Sequence, residues 1–132
     1  MRPVEISIQS EDGDIFRYSG SCTMKKEKSF VSYDDEGDQM ILRIEKKCLA
    51  VLRPDDRGGH IIYDPDRPYR MTCPTPAGDM CFLLQTESYH QRVLNDEMDI
   101  QIRYTLRVIA MDGQISDEPD IVRTLLIRIE SV

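Results

Sequence analysis

The sequence has 132 residues, of which 40% are apolar and 31% charged, and its formal net charge is −7 at pH 7. This length predicts a single domain, residues 1–132, that buries roughly two-thirds of the surface of the unfolded chain. The composition is typical of a globular protein. The negative charge argues against nucleic acid and anionic membranes as partners, because both are bound through basic faces.

The N-terminal residues lack the apolar core of a signal peptide, and no apolar run approaches the roughly 18 residues of a membrane-spanning helix. We therefore expect a cytoplasmic protein. Its four cysteines form no Cys-x-x-Cys pair, which in that compartment predicts free thiols. No cofactor and no metal site are predicted, because the sequence lacks a glycine-rich phosphate loop and the spacing of a zinc site.

The first part of the chain alternates between short strand patterns and charged turns. Strands, most of them with the period of two that is typical of burial on one face, are predicted at Val4–Ser10, Ile15–Met24, Phe30–Tyr33, Met40–Glu45 and Cys48–Arg53. Gly20 falls on the inward face of its strand, which indicates a bend, a bulge or a close approach of backbone.

The middle of the chain is richer in proline and glycine. Loops are predicted at Pro54–Gly59, Asp64–Pro68 and Pro74–Gly78. Extended segments are predicted at His60–Tyr63, Tyr69–Cys73 and Asp79–Glu87. The segment Ser88–Glu97 is predicted to be a loop or one helical turn.

The clearest pattern is Asp99–Ile109, in which apolar residues alternate strictly with polar ones. Its partner is Ile121–Ile129, and the turn signals between them predict an antiparallel hairpin with a long connection. This phase places Leu106 in the core and Thr105 in solvent.

About ten strands thus follow one another as hairpins, with no convincing amphipathic helix. Such chains close up to remove unpaired strand edges. We predict an all-β fold, an antiparallel barrel of about eight to ten strands, and a two-sheet sandwich is the alternative.

Three short features resemble a bacterial family of unknown function, the YwiB-like proteins. The first is Arg53 followed by two glycines and the extended His60–Tyr63. The second is Thr75–Gly78, which resembles the family's Tyr-x-Thr-Pro-x-Gly turn, with Cys73 in place of the tyrosine. The third is the strand Ile100–Leu106 with its final partner. The resemblance implies a calycin-type (lipocalin-like) barrel and supplies no activity.

The candidate ligand-binding residues are Tyr18, Tyr63, Tyr104, Arg53 and Arg70. Tyr18 and Tyr104 fall with Phe16 on the inward phase, whose large side chains suit either a filled core or a pocket for one small ligand. The hydroxyl of Tyr104 needs a partner or a water. Arg53, Arg70 and Tyr63 belong to a proline-rich stretch that suits recognition of a carboxylate or an acidic partner. The alternative is an exposed loop neutralised by nearby aspartates.

We therefore expect a binding protein for a small apolar molecule or a protein partner, and the sequence leaves its oligomeric state open. The alternative is an enzyme whose loop-built site uses His60 or His90 as base. No local spacing places a nucleophile beside either histidine.

The order of the loops predicts a charge difference between the two ends of the barrel. In an up-and-down barrel successive hairpin loops alternate between the ends. Acidic residues collect in the odd-numbered loops: Asp12, Asp14, Asp34, Asp35, Asp55, Asp56, Asp117 and Glu118. The even-numbered loops include Lys25–Lys28 and Lys46–Lys47. One acidic and one more basic end are expected, and the acidic end would steer a cationic ligand or a basic partner.

Overall fold

The computed structural model describes residues 1–11, 13–54 and 60–132. They form ten β-strands, and no helix among them is long and apolar enough to cross a membrane. The strands are β1 (Arg2–Gln9), β2 (Ile15–Lys25), β3 (Lys28–Asp35), β4 (Asp38–Ile44), β5 (Leu49–Leu52), β6 (Ile61–Tyr63), β7 (Tyr69–Thr75), β8 (Gly78–Leu94), β9 (Glu97–Ile109) and β10 (Ile121–Ser131).

All ten strands belong to one antiparallel sheet in the order β6-β5-β4-β3-β2-β1-β10-β9-β8-β7. The pairing of β1 with β10 brings the two chain ends together and curls the meander into a nearly closed barrel. Between β6 and β7, the described residues form no ladder, and the Tyr69 hydroxyl donates a hydrogen bond to the His60 carbonyl at 2.9 Å. The predicted ten-strand antiparallel barrel is confirmed, whereas the calycin assignment stays a prediction.

The inward residues of each strand fill the barrel with large side chains. Ile6 lies opposite Tyr18 on one side and Ile129 on the other, so the predicted phase of these strands is correct. The fully buried set is Val4, Ile6, Val31, Leu42, Ile44, Leu49, Leu84, Ile100, Ile102 and Ile129. Burying one such side chain stabilises the fold by about 1.5–3 kcal/mol, so this layer supplies most of the driving force for closure.

Gly20 is the position at which the sequence predicted a bend, a bulge or a close approach, and the structure shows a close approach. A Cβ at Gly20 would overlap the carbonyl oxygen of Ser32 and come within 3.1 Å of the Tyr33 Cβ. Because Gly20 has no side chain, the backbones of β2 and β3 can approach each other closely at this point, beside the inward-facing Tyr33.

The prediction for Ser88–Glu97 is wrong. β8 continues to Leu94, and a turn at residues 95–96 leads directly into β9. The register shifts between Thr86 and Ser88, so Glu87 is an extra residue in β8. Such a bulge breaks the period of two and hides the second half of a strand from pattern analysis.

Two exposure predictions are also wrong although their strand phase is correct. Thr105 has the outward phase but is only 2% exposed, whereas Leu106 is partly buried and packs against the core as its phase predicts. Phe16 has the inward phase but is 54% exposed, because the ladder between β2 and β3 begins at Gly20 and leaves the start of β2 uncovered on that side. The alternating pattern of a strand therefore predicts which way a side chain points, whereas the extent of the neighbouring strands determines how far it is buried.

Candidate binding site

The meander places its hairpin connections alternately at the two ends of the barrel, because consecutive strands run in opposite directions. The connections β1–β2, β3–β4, β5–β6, β7–β8 and β9–β10 lie at one end, which we call the mouth. The other four connections and both chain termini lie at the opposite end, which we call the base.

The mouth carries a dense set of carboxylates. Those of the described residues are Glu11, Asp14, Asp34, Asp35, Glu36, Asp38, Asp79, Asp112, Asp117, Glu118 and Asp120. The basic residues of its described connections are Arg53 and His60, and Arg107 near the end of β9 reaches the β9–β10 connection. The predicted acidic end is confirmed for this part of the chain, and the predicted members Asp12, Asp55 and Asp56 lie outside the described residues.

The base is mixed in charge rather than basic. The lysine turns at 25–28 and 46–47 lie there as predicted, but so do Asp64, Asp66 and Asp96. Lys28 is paired with Glu45 at 3.5 Å, and Arg2 lies 3.8 Å from Asp96. The base is thus more basic than the mouth, as predicted, but it has no clear excess of positive charge of its own, and the difference between the two ends comes from the acidic mouth.

Large apolar side chains are exposed at the mouth among the carboxylates. They are Ile15 and Phe16 at the start of β2, Met80 near the start of β8, and Met111 and Ile115 in the β9–β10 connection. Met111 is fully exposed. Exposed apolar residues that gather beside charged ones are typical of interaction surfaces.

Hydrogen bonds hold the long β9–β10 connection in place. The Arg107 guanidinium donates to the Ser116 carbonyl at 3.0 Å and also to the Asp117 carbonyl. The Asp120 carboxylate accepts the Val108 amide at 2.9 Å, and this bond is the main cause that lowers the pKa of Asp120. The exposed apolar residues of this connection are therefore carried on an ordered rim.

A pair of tyrosines lies beneath the mouth. The rings of Tyr18 and Tyr33 are 4.6 Å apart between centroids, and Tyr18 hydrogen-bonds to Asp35. Burial raises the pKa of Tyr33 to about 12, with a further contribution from Tyr18, while the charge of Arg53 opposes this shift. Both phenols are therefore neutral at physiological pH, and the pair forms an aromatic floor under the rim.

Tyr63 and Tyr104 meet across the barrel interior, 5.2 Å apart between ring centroids and edge to face. The two hydroxyls share a side-chain hydrogen bond, which supplies the partner that the Tyr104 hydroxyl requires. Burial raises the pKa of both phenols. On the neighbouring strand the Thr86 Oγ1 is buried without a hydrogen-bond partner among the described residues.

The structure does not bring the five candidate residues into one site. Tyr18 and Arg53 lie near the mouth, and Tyr63 contacts Tyr104 inside the barrel. Arg70 is exposed on the outer face near the base, because β7 begins there and Tyr69 turns inward. Arg53 and Arg70 are thus at opposite ends of the barrel and share no recognition surface.

The two histidines are also far apart in the fold. His60 is exposed near the mouth, and its imidazole makes no hydrogen bond or ion pair with a described residue. His90 lies on the outer face of β8, opposite Gln101 of β9. The enzyme alternative requires a nucleophile within hydrogen-bond distance of a histidine that acts as base. No described nucleophile lies that close to either imidazole.

The cysteines are free thiols, as predicted, but they differ in exposure: Cys22 is buried and Cys81 exposed. Cys48 Sγ donates to Glu45 Oε2 at 3.2 Å, and burial together with this carboxylate raises the pKa of Cys48 to about 11. A thiol held protonated in this way is a poor nucleophile. Among the described residues, no group of His, Cys, Asp and Glu side chains is arranged to hold a metal ion.

A family model described as "Domain of unknown function (DUF1934)" matches residues 4–116, which is most of the chain. The chain belongs to the DUF1934 family. No curated protein matches the sequence. The crystal structure of the YwiB protein from Bacillus subtilis superposes with a TM-score of 0.69 at 17% identity, covering 99% of this chain and 92% of that chain. The predicted resemblance to YwiB-like proteins is confirmed, and at this identity the likeness shows the fold alone.

For this DUF1934 protein, sequence reasoning found the acidic loops but missed the apolar residues that lie among them. Phe16 was assigned to the interior, and Met111 belonged to the long hairpin connection with no role predicted for its side chain. The signal that was available is the length of the strands, because β2 is longer than β3 and its first residues extend beyond the ladder.

Proposed function

We propose that this protein is a non-enzymatic binding protein whose mouth docks a basic, partly apolar segment of a protein partner. The observation that carries the proposal is the position of exposed apolar side chains, Phe16 and Met111 foremost, within a rim of carboxylates. This combination matches a segment that carries Lys or Arg together with Leu-like residues.

The filled interior supports a partner at the rim over a small apolar ligand inside the barrel. Inward side chains from the strands are packed against one another, with Tyr63 and Tyr104 in contact across the centre. A lipocalin-like pocket needs smaller inward residues than these, since a barrel holds a ligand only where its inward side chains leave the interior empty.

The charge of the mouth determines the charge of the segment that it can bind. A rim with many carboxylates and little positive charge repels acidic segments and attracts basic ones, which raises association rates and adds specificity more than affinity. The apolar residues supply the contact area that the charges lack. Because the rim is exposed, its attraction should fall with ionic strength, over a Debye length of about 8 Å in physiological salt.

The test is a calorimetric titration with a synthetic helical peptide in which lysines and leucines form opposite faces. We expect saturable binding that weakens as salt is added. A peptide with the same leucines and glutamate in place of every lysine should not bind. Equal binding of the two peptides would contradict the proposal, because apolar contact alone would then explain it.

Matched variants locate the site. Phe16 is 54% exposed at the mouth and Leu94 is 55% exposed at the base, so the two side chains offer similar apolar area at opposite ends. Phe16→Ser should weaken peptide binding by roughly fivefold to tenfold, as expected for loss of one well-placed aromatic contact. Leu94→Ser should leave binding unchanged. A loss with Leu94→Ser and none with Phe16→Ser would place the site at the wrong end.

A further inference from the structure

The outer wall of the barrel contains a groove that lies away from the mouth. It has a volume of about 640 Å³ and runs across the outer faces of β8, β9, β10 and β1. The side chains that matter are His90, Arg92, Asp99, Gln101, Leu126 and Arg128, and we call this set the outer groove. Its volume lies within the range of about 300–1,000 Å³ that small-molecule sites occupy.

The register arranges the charges of the outer groove in a row. Arg92 lies opposite Asp99, and Asp99 lies opposite Arg128. Arg128 holds both oxygens of Asp99, with distances of 2.8 Å from Nε to Oδ1 and 3.5 Å from Nη2 to Oδ2. Arg128 also lies 3.6 Å from Glu130, whereas Arg92 makes no ion pair with any described residue.

The outer groove therefore carries one more cation than carboxylate, since Arg92 and Arg128 face the single carboxylate of Asp99. A neighbouring cavity of about 430 Å³ shares Ser7 and Arg128 with it and adds Arg17 together with Glu5 and Glu130, so the charges of that cavity balance and the unpaired cation of the wall is Arg92. The chain as a whole has a net charge of −7. A guanidinium that faces a concave surface without a partner is suited to hold a carboxylate, sulfonate or phosphate by paired hydrogen bonds.

The same groove has an apolar centre. Leu126 is 40% exposed on the outer face of β10, directly opposite Gln101. The backbone of the inward-facing Ile100 and Ile127 forms the floor beneath it. A ligand that places its acidic group near Arg92 would therefore lay an apolar body over Leu126.

We propose that the outer groove binds a small amphiphilic anion, in which Arg92 holds the acidic group and Leu126 contacts the apolar body. This site does not rest on the function proposed for the mouth. The two surfaces lie on different parts of the barrel and select ligands of opposite charge, so each can fail without the other.

A fluorescent aromatic anion tests the proposal directly. Anilinonaphthalene sulfonate should bind the folded protein saturably with one molecule per chain. Arg92→Gln should weaken this binding roughly tenfold, as expected when a charge-assisted hydrogen bond is lost. Leu126→Ser should weaken it as well. Absence of binding to the folded wild-type protein would overturn the proposal.

Two controls distinguish binding in the outer groove from non-specific binding of the probe. Arg103 lies on the outer face of β9 outside the groove, paired with Glu87 at 3.3 Å, so Arg103→Gln should leave binding within twofold of wild type. The neutral probe phenylnaphthylamine lacks the sulfonate, and its binding should be much weaker and indifferent to Arg92→Gln. Equal effects of Arg92→Gln and Arg103→Gln, or equal affinity for the neutral probe, would overturn the assignment.

Discussion

The mouth and the base of the barrel are built from the same ten strands and both expose apolar side chains, yet they differ in the charge that surrounds those side chains. At the base, lysines and carboxylates balance, and two-residue turns at 26–27 and 95–96 join the strands. At the mouth, carboxylates dominate, the exposed apolar side chains lie among them, and one connection extends over residues 110–120. The difference follows from the parity of the hairpins, which collects every second connection at one end. A charge pattern that looks scattered along the chain therefore becomes a single surface in the fold.

The largest effect is expected in the core layer that separates the two ends. Ile102 is 0% exposed in the middle of β9. Ile102→Ala should lower the free energy of unfolding by about 2–5 kcal/mol, because it removes buried methyl groups and leaves a cavity. Denaturant titration measures this loss. The exposed neighbour Gln101→Ala is the control and should change stability by less than about 0.5 kcal/mol. Similar losses for both variants would show that the inward phase of β9 is misassigned.

A smaller loss is expected below the mouth at Gly20. A methyl group there must displace the Ser32 carbonyl or Tyr33, so Gly20→Ala should cost about 1–3 kcal/mol, as is typical of overpacking. Ser19→Ala, one residue earlier on the outer face of β2, should be near neutral. Thermal unfolding of the two variants tests the close approach, and a neutral Gly20→Ala would show that β2 and β3 have room between them.

Alkaline pH should reveal the buried tyrosine under the rim. The phenol of Tyr33 ionises near its ordinary pKa of 10.0 in the unfolded chain and at about 12 in the folded protein. Its contribution to stability is therefore complete below pH 10 and is lost as the pH rises through 12. Urea titrations across this window should show a falling free energy of unfolding, and Tyr33→Phe should reduce the fall. An unchanged pH profile in the variant would mean that Tyr33 ionises freely in the folded state.

The strands were predictable because alternation records which residues face the core, and ten of them were found with their order intact. Glu87 shows where this alternation fails as a signal. It is one extra residue in β8, so the residues after it alternate in the opposite sense and the second half of the strand is not recognised. Exposure at the strand ends cannot be predicted from the pattern of one strand, because it also depends on the lengths of the neighbouring strands. Phe16 carries the inward phase, but its burial depends on how far β3 extends, which the pattern within β2 does not contain.

The charges of the mouth were predictable from loop parity alone, because each hairpin reverses the chain. The outer groove was not predictable. Arg92 and Arg128 are 36 positions apart in the printed sequence and become neighbours of Asp99 only through the pairing of β8, β9 and β10. The spacing of residues along the sequence does not show which charged side chains become neighbours across adjacent strands.

Backbone amide NMR during titration with the lysine–leucine peptide tests the central claim most directly, because it reports both ends of the barrel in one experiment. We expect saturable chemical-shift changes at the backbone amides of Phe16, of Met111 and of the acidic residues in the β1–β2 and β9–β10 connections. The amide shifts of Lys46 and Leu94 should not change. Shifts concentrated at the base, or spread evenly over the barrel, would contradict the assignment of the mouth as the docking surface.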